Sequence, residues 1–107
     1  MLKHQKKVNK FIEENKIKTK VEFRVLDLLS EAGELSKEFL KATDYGKEEF
    51  IPTKDWKIEL GDLYFCLLSL ANSSQVDLDE VLKKVFEKYE NRIEKTGKPS
   101  SLEKVTE

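Results

Sequence analysis

Two acidic pairs carry the chemistry that can be read from this chain. Glu31 and Glu34 lie in Ser30-Glu31-Ala32-Gly33-Glu34-Leu35, and Glu59 and Asp62 lie in Ile58-Glu59-Leu60-Gly61-Asp62-Leu63. A step of three residues places both carboxylates of a pair on one helix face, a turn apart. The second pair sits among Ile58, Leu60, Leu63 and Phe65, in the most apolar stretch of the chain. Unpaired carboxylates in such surroundings cost several kcal/mol each, roughly, unless a basic group or a cation answers them. Like charges one turn apart also repel, and a shared divalent cation relieves both problems. All-oxygen donors, with one Cys and one His in the whole chain, select Mg²⁺, Mn²⁺ or Ca²⁺ over zinc. The competing reading is an ion-paired, solvated face, with Lys37 beside Glu34 and Lys41 beside Glu38. It suits the first pair better than the second.

A glycine stands inside each pair, Gly33 and Gly61. Glycine in mid-helix costs about 1 kcal/mol relative to alanine. Either close helix packing or room for a ligand would compensate for it.

Four helices must position these residues. The first covers roughly residues 2–15, with Leu2, Val8, Phe11 and Ile12 on one face. Thr19 and Glu22 have the spacing of a capping box, which predicts a second helix running to about Thr43. Its apolar stripe is Phe23, Leu26, Leu29, Ala32 or Gly33, Leu35 or Ser36, and Phe39. Asp44-Tyr45-Gly46 ends it, with Gly46 suited to the left-handed conformation. A loop closes at Ile51-Pro52-Thr53, and Thr53 caps a third helix from Lys54 to about Ser73. After Asp62 that helix is apolar nearly all round, the pattern of a helix buried on all sides. In a chain of 107 residues such burial implies a second subunit. Asp77 and Glu80 cap a fourth helix to about Lys95, with Leu82, Val85, Phe86, Tyr89 and Ile93 directed inward. Gly97 and Pro99 stop it.

Composition narrows the function classes. Charged residues make up 38% of the chain, with four glycines and two prolines, which suits solvated helices rather than a sandwich or barrel. Twenty basic and 21 acidic residues leave a net charge of −1, without the basic excess of a nucleic-acid binder. The basic run Lys3, His4, Lys6, Lys7, Lys10 reads as a solvated helix face. The lone Cys66 excludes an intrachain disulfide and fits a reducing compartment. The longest apolar run, residues 63–71, is interrupted by Ser69 and too short to span a bilayer. A cytoplasmic protein, with no membrane or nucleic-acid partner, is the expectation.

The motifs resemble the MazG-like nucleotide pyrophosphohydrolases of the all-α NTP pyrophosphatase superfamily. Residues 24–38, from Arg24-Val25-Leu26-Asp27 through Glu31 and Glu34, look like the first motif helix of that family. Residues 59–72, Glu59-Leu60-Gly61-Asp62 onward, look like the second, and residues 76–82 like the start of the last helix. The resemblance covers roughly residues 20–95. It implies an all-α, four-helix bundle-like MazG-type fold over residues 1–98, completed by oligomerisation to a homodimer or homotetramer, with residues 99–107 as a polar tail. It also implies Mg²⁺, or Mn²⁺, held by Glu31, Glu34, Glu59 and Asp62, and hydrolysis of a nucleoside triphosphate to a monophosphate and pyrophosphate.

The resemblance further directs attention to Lys84, Lys88 and Arg92, an i, i+4, i+8 stripe on the last helix, as triphosphate contacts. Helix salt bridging with residues such as Glu80 competes with that role. Phe86 stands near the place where relatives carry an Asn, so the phosphate contacts differ in detail. Trp56, with Tyr45 and Phe50, is a candidate to stack on a base, against plain packing. His4 and Gln5 are lesser candidates for reading a base edge. Cys66, one turn after Asp62, reads as a buried small hydrophobe beside the site. A phosphoribosyl-ATP pyrophosphohydrolase and a non-catalytic nucleotide- or protein-binding module remain the alternatives.

Overall fold

The computed structural model describes residues 3–98, in four helices: α1 (Lys3–Glu14), α2 (Val21–Ala42), α3 (Lys54–Ser73) and α4 (Leu78–Thr96). No strand occurs among the described residues. Within this range the chain forms two compact units, residues 3–76 and the segment from Asp77 that contains α4. The positions expected for Leu2 and for the tail from Pro99 lie outside the described residues.

In the first unit α1 and α2 both pack on α3. The pairing of α2 with α3 is antiparallel. Phe39 meets Trp56 at one end, Glu31 faces Glu59 and Asp62 in the middle, and Arg24 shares a cavity with Ser69 at the other. The core is small: Val8 and Ile12 of α1 with Cys66, Leu68 and Ala71 of α3. Phe11 adds an edge-to-face contact with Phe65, ring centroids 6.0 Å apart.

A polar clasp fixes α1 to the C-terminal end of α3. Gln5 is 0% exposed. Its Nε2 donates to Asn72 Oδ1 at 3.1 Å and to the Val76 carbonyl at 2.8 Å, and Asn72 Nδ2 donates back to the Gln5 carbonyl at 2.9 Å. A buried amide with its donors engaged is tolerated, but cutting the clasp would leave its partners desolvated and unpaired. Gln5 is therefore a structural residue and not a reader of base edges.

Helices α1, α2 and α3 stop in the same way. The residue after each C-cap takes a positive φ: Lys16 at 55°, Asp44 at 46° and Gln75 at 58°. The next amide then reaches back to the third-last helical carbonyl: Ile17 to Ile12, Tyr45 to Leu40, and Val76 to Ala71, at 3.1, 2.8 and 2.9 Å. This is the Schellman arrangement, usually built on glycine. In α2 the turn falls on Asp44, two residues before the expected Gly46, which extends the left-handed run with Tyr45 (φ 56° and 87° for Tyr45 and Gly46). Thr43 is buried there and its Oγ1 accepts from Gly46 N at 3.2 Å. Only α4 ends on a left-handed glycine, Gly97.

The helix starts divide. Thr53 caps α3, accepting from Trp56 N at 3.0 Å, and Asp77 caps α4, accepting from the amides of Asp79 and Glu80. The capping box expected at Thr19 does not form. The N-cap of α2 is Lys20, without a side-chain cap bond, because the chain enters the helix one residue later than the motif requires.

The apolar stripe expected on α2 is not core in this chain. Phe23, Leu26 and Leu29 are exposed, Leu29 at 71%, while the buried residue of α2 is Arg24. The α3 partner lies against the acidic side of α2, not the leucine side. Nor is α3 buried all round: Leu60, Tyr64 and Leu67 are exposed. In α4 the residues expected to point inward, Leu82, Phe86, Tyr89 and Ile93, are exposed and Val85 is half-buried. A single amphipathic helix has no surface of its own against which to fold such a stripe.

Two stability tests follow. Replacing Gln5 by Leu should lower the unfolding free energy by about 1–3 kcal/mol, read as an earlier urea midpoint at unchanged slope. Replacing the exposed left-handed Lys16 by Gly should raise it by up to about 1 kcal/mol.

Candidate active site

The acidic pairs converge across the α2–α3 seam. One carboxylate oxygen each from Glu31, Glu59 and Asp62 lie within 4.8 Å of one another. Glu31 and Glu59 are half-buried and Asp62 is exposed, so the cluster is open to a ligand. Glu34, the fourth expected residue, is exposed and stands outside that group, but its charge still acts on Glu59. No ion pair among the described residues involves any of the four; the pairs formed are Lys10–Glu14, Arg24–Asp27 and Lys41–Glu38. The salt-bridge alternative expected for Glu38 is thus realised at 3.3 Å, and the one for Glu34 with Lys37 is not.

Glu59 registers this crowding. Partial burial, then the charges of Asp62, Glu31 and Glu34, push its carboxyl above the ordinary range, and a hydrogen bond with Glu31 adds to the effect. Two carboxylates in contact share a proton more readily than they both ionise. The donor set therefore fits a hard divalent cation: oxygen-only, multiply charged, partly desolvated and in no ion pair among the described residues.

Cys66 lies on this seam. It is buried, and desolvation, followed by the charges of Glu31 and Asp27, raises its thiol. It stays protonated and acts as a packing residue. Asp27, one turn before Glu31, was not singled out by sequence. Its signal was the i, i+4 step to Glu31, and in the structure it pairs with Arg24 at 3.6 Å.

The two glycines do not serve packing within the chain. A Cβ built on Gly33 or Gly61 meets nothing within 4 Å. The helix–helix packing explanation fails for the described residues; Gly61 lines an open groove against α1 with His4, Lys7 and Val8.

The remaining candidates are placed as follows. Trp56 belongs to an aromatic cluster, its ring centroid 5.0 Å from Phe50 and 6.2 Å from Phe39, with Phe39 and Phe50 4.8 Å apart. That cluster ties the loop before α3 to α2, one turn ahead of Glu59. Tyr45 is exposed at the loop tip. His4 Nδ1 lies 2.9 Å from the Tyr64 hydroxyl, so α1 and α3 engage it. On α4, Lys84 is exposed, and Lys88 and Arg92 lie over the Tyr89 ring at 5.1 and 5.7 Å from its centroid, the geometry of a cation–π contact.

The raised Glu59 carboxyl has a measurable consequence. A carboxyl whose folded value exceeds its unfolded one binds protons better in the folded state, so it weakens the fold as pH rises from its ordinary value through the raised one. Glu59→Gln should therefore raise Tm in EDTA at neutral pH, and this gain should vanish at pH values below the ordinary carboxylate range. A gain independent of pH would contradict the crowding.

Comparison with known proteins agrees with this geometry. No curated protein sequence and no solved structure gives a significant match to the chain. The MazG nucleotide pyrophosphohydrolase domain, as a family, matches residues 20–96. That span runs from the N-cap of α2 to the last residue of α4 and contains both acidic pairs and the glycines inside them. The chain belongs to the MazG nucleotide pyrophosphohydrolase family.

Proposed function

We propose that this protein is a Mg²⁺-dependent nucleoside triphosphate pyrophosphohydrolase. Water attacks phosphorus, the α–β phosphoanhydride breaks, and a nucleoside monophosphate and pyrophosphate leave. The observation that carries this reading is the convergence of Glu31, Glu59 and Asp62 without a basic partner.

Glu31, Glu59 and Asp62, with Glu34 beside them, are the residues to hold the metal. A divalent ion held there would supply charge neutralisation for the phosphates and acidify water. The chain's own residues do the rest. The Glu31–Glu59 contact offers a place to hold a proton at a carboxylate oxygen. Buried Cys66, which feels the charges of Glu31 and Asp62, keeps the α3 side of the seam apolar beside the acids. Lys84, Lys88 and Arg92 supply positive charge for the triphosphate, and Trp56 supplies an aromatic face for a base. Phosphoryl transfer needs mainly such positioning and charge stabilisation.

The proposed assembly is a homodimer or homotetramer. Its support is the apolar surface left outside the core: a cavity of about 530 Å³ lined by Leu28, Leu60, Leu63, Tyr64 and Leu67. Exposed apolar patches of this kind mark association surfaces. No described helix is long and apolar enough to cross a membrane, which accords with a cytoplasmic enzyme acting on free nucleotides, including non-standard ones.

A panel of common and modified ribo- and deoxyribonucleoside triphosphates, with phosphoribosyl-ATP included, tests the reading. Pyrophosphate and monophosphate should appear with Mg²⁺ and disappear with EDTA. Glu59→Gln and Asp62→Asn should each reduce kcat by at least about 100-fold while leaving the helical signal intact. Cleavage of phosphoribosyl-ATP alone would move the assignment to that enzyme class. Full turnover by either variant would sink the site assignment.

A further inference from the structure

A second polar cavity lies at the other end of the seam, where the α1–α2 connection meets the C-terminal part of α3. It has a volume of about 120 Å³ and is lined by Asn9, Ile12, Lys18, Thr19, Arg24, Ser69, Asn72, Ser73 and Gln75. Ile12, Arg24 and Ser69 are buried and form its depth, while Asn9, Lys18 and Gln75 are exposed at its rim. A single water needs only roughly 10–15 Å³ by this kind of measure, so the space admits a larger polar guest.

The lining charge is one-sided: Lys18 and Arg24 are cationic and no lining residue is acidic. Arg24 is only 8% exposed. One terminal nitrogen donates to the Ile17 carbonyl at 2.8 Å and the other lies 3.6 Å from Asp27, whose carboxylate is itself more than half exposed. Its Nε has no hydrogen-bond partner, and among the described residues it is the one buried side-chain nitrogen or oxygen in that condition. That Nε is enclosed, so what Arg24 offers the cavity it lines is its charge and its terminal nitrogens, one of them held only by the 3.6 Å contact with Asp27.

The other groups here divide into donors and spent donors. Ser69 and Ser73 already donate their hydroxyl hydrogens to the Phe65 and Ser69 carbonyls, both at 2.9 Å. Asn72 is engaged in the clasp with Gln5. Thr19, released from the capping role that its sequence predicts, makes no side-chain hydrogen bond among the described residues, and α2 opens without a side-chain cap. Lys18, Thr19, Gln75 and Arg24 are thus the available donors, set against two positive charges and beside a helix N-terminus, which favours anions.

We propose that this cavity is a binding site for a small tetrahedral oxyanion of the phosphate class, separate from the acidic cluster. Arg24 forms its floor, and Lys18 and Thr19 close over it from the α1–α2 connection. Occupancy ties that connection to α3 and offsets the charge of Arg24. The proposal does not rest on the pyrophosphohydrolase reading.

The test uses the full chain in EDTA, without nucleotide, at matched ionic strength. The chain contains two arginines, Arg24 and Arg92, so its arginine Nε–H spectrum has two resonances, assigned with Arg92→Lys. Inorganic phosphate and sulfate should shift the Arg24 resonance saturably and raise Tm, while chloride and acetate should not. Lys18→Met should weaken phosphate binding by up to about five-fold, and Thr19→Val should also weaken it. Arg24→Lys should abolish the Tm response if it folds; the Lys18 and Thr19 variants keep the test decisive if it does not. An Arg24 resonance unmoved by phosphate overturns the proposal. A shift equal with chloride, or unaffected by both rim variants, means an adventitious ion only and overturns it as well.

Discussion

Carboxylates face carboxylates across the middle of the α2–α3 seam, and the rest of the structure accommodates that repulsion. One oxygen each of Glu31, Glu59 and Asp62 lies within 4.8 Å of the others, and among the described residues no ion pair offsets them. Attraction between the helices must therefore be strong at the ends of the seam. At one end Phe39, Phe50 and Trp56 stack the loop against both helices. At the other, buried Arg24 holds the Ile17 carbonyl and answers Asp27. The seam is closed at both ends and carries its like charges in the centre.

Helix α3 has three separate obligations, which explains its unusual composition. One side bears Glu59, Asp62 and Cys66 toward α2. A second packs Leu68 and Phe65 against α1, with Asn72 in the clasp. The third, with Leu60, Leu63, Tyr64 and Leu67, lines an apolar cavity. A helix in this position has little freedom for solvated residues, so it reads as apolar all round even though much of it is not buried within one chain. The same pattern carries the support for a subunit interface.

The helix ends show how local signals compete. Thr53 and Asp77 cap as their spacing predicts, because each is followed at once by a helix free to start there. Thr19 does not, since the connection from α1 is held by Arg24 through Ile17, which delays the start of α2. Likewise Asp44, not Gly46, takes the first left-handed turn after α2. Glycine marks where such a turn is cheap, but the last hydrogen bonds of the helix decide where it falls.

The sequence by itself determined the four helices, the two caps at Thr53 and Asp77, and the acidic pairs with their glycines, because each depends on residues three or four apart. It was also sufficient for the family, since order and spacing along the chain carry that likeness. Only the tertiary structure decided which sides of α2 and α3 meet. The leucine stripe of α2, the stronger periodic signal, is left exposed, and the acidic side with Arg24 is turned inward. That Glu34 stands apart from the other three acids, that Gln5 is a clasp, and that Trp56 belongs to an aromatic cluster also follow from contacts between residues distant in sequence. Periodicity along one helix identifies its faces, but which face is covered depends on the surface that another helix presents to it.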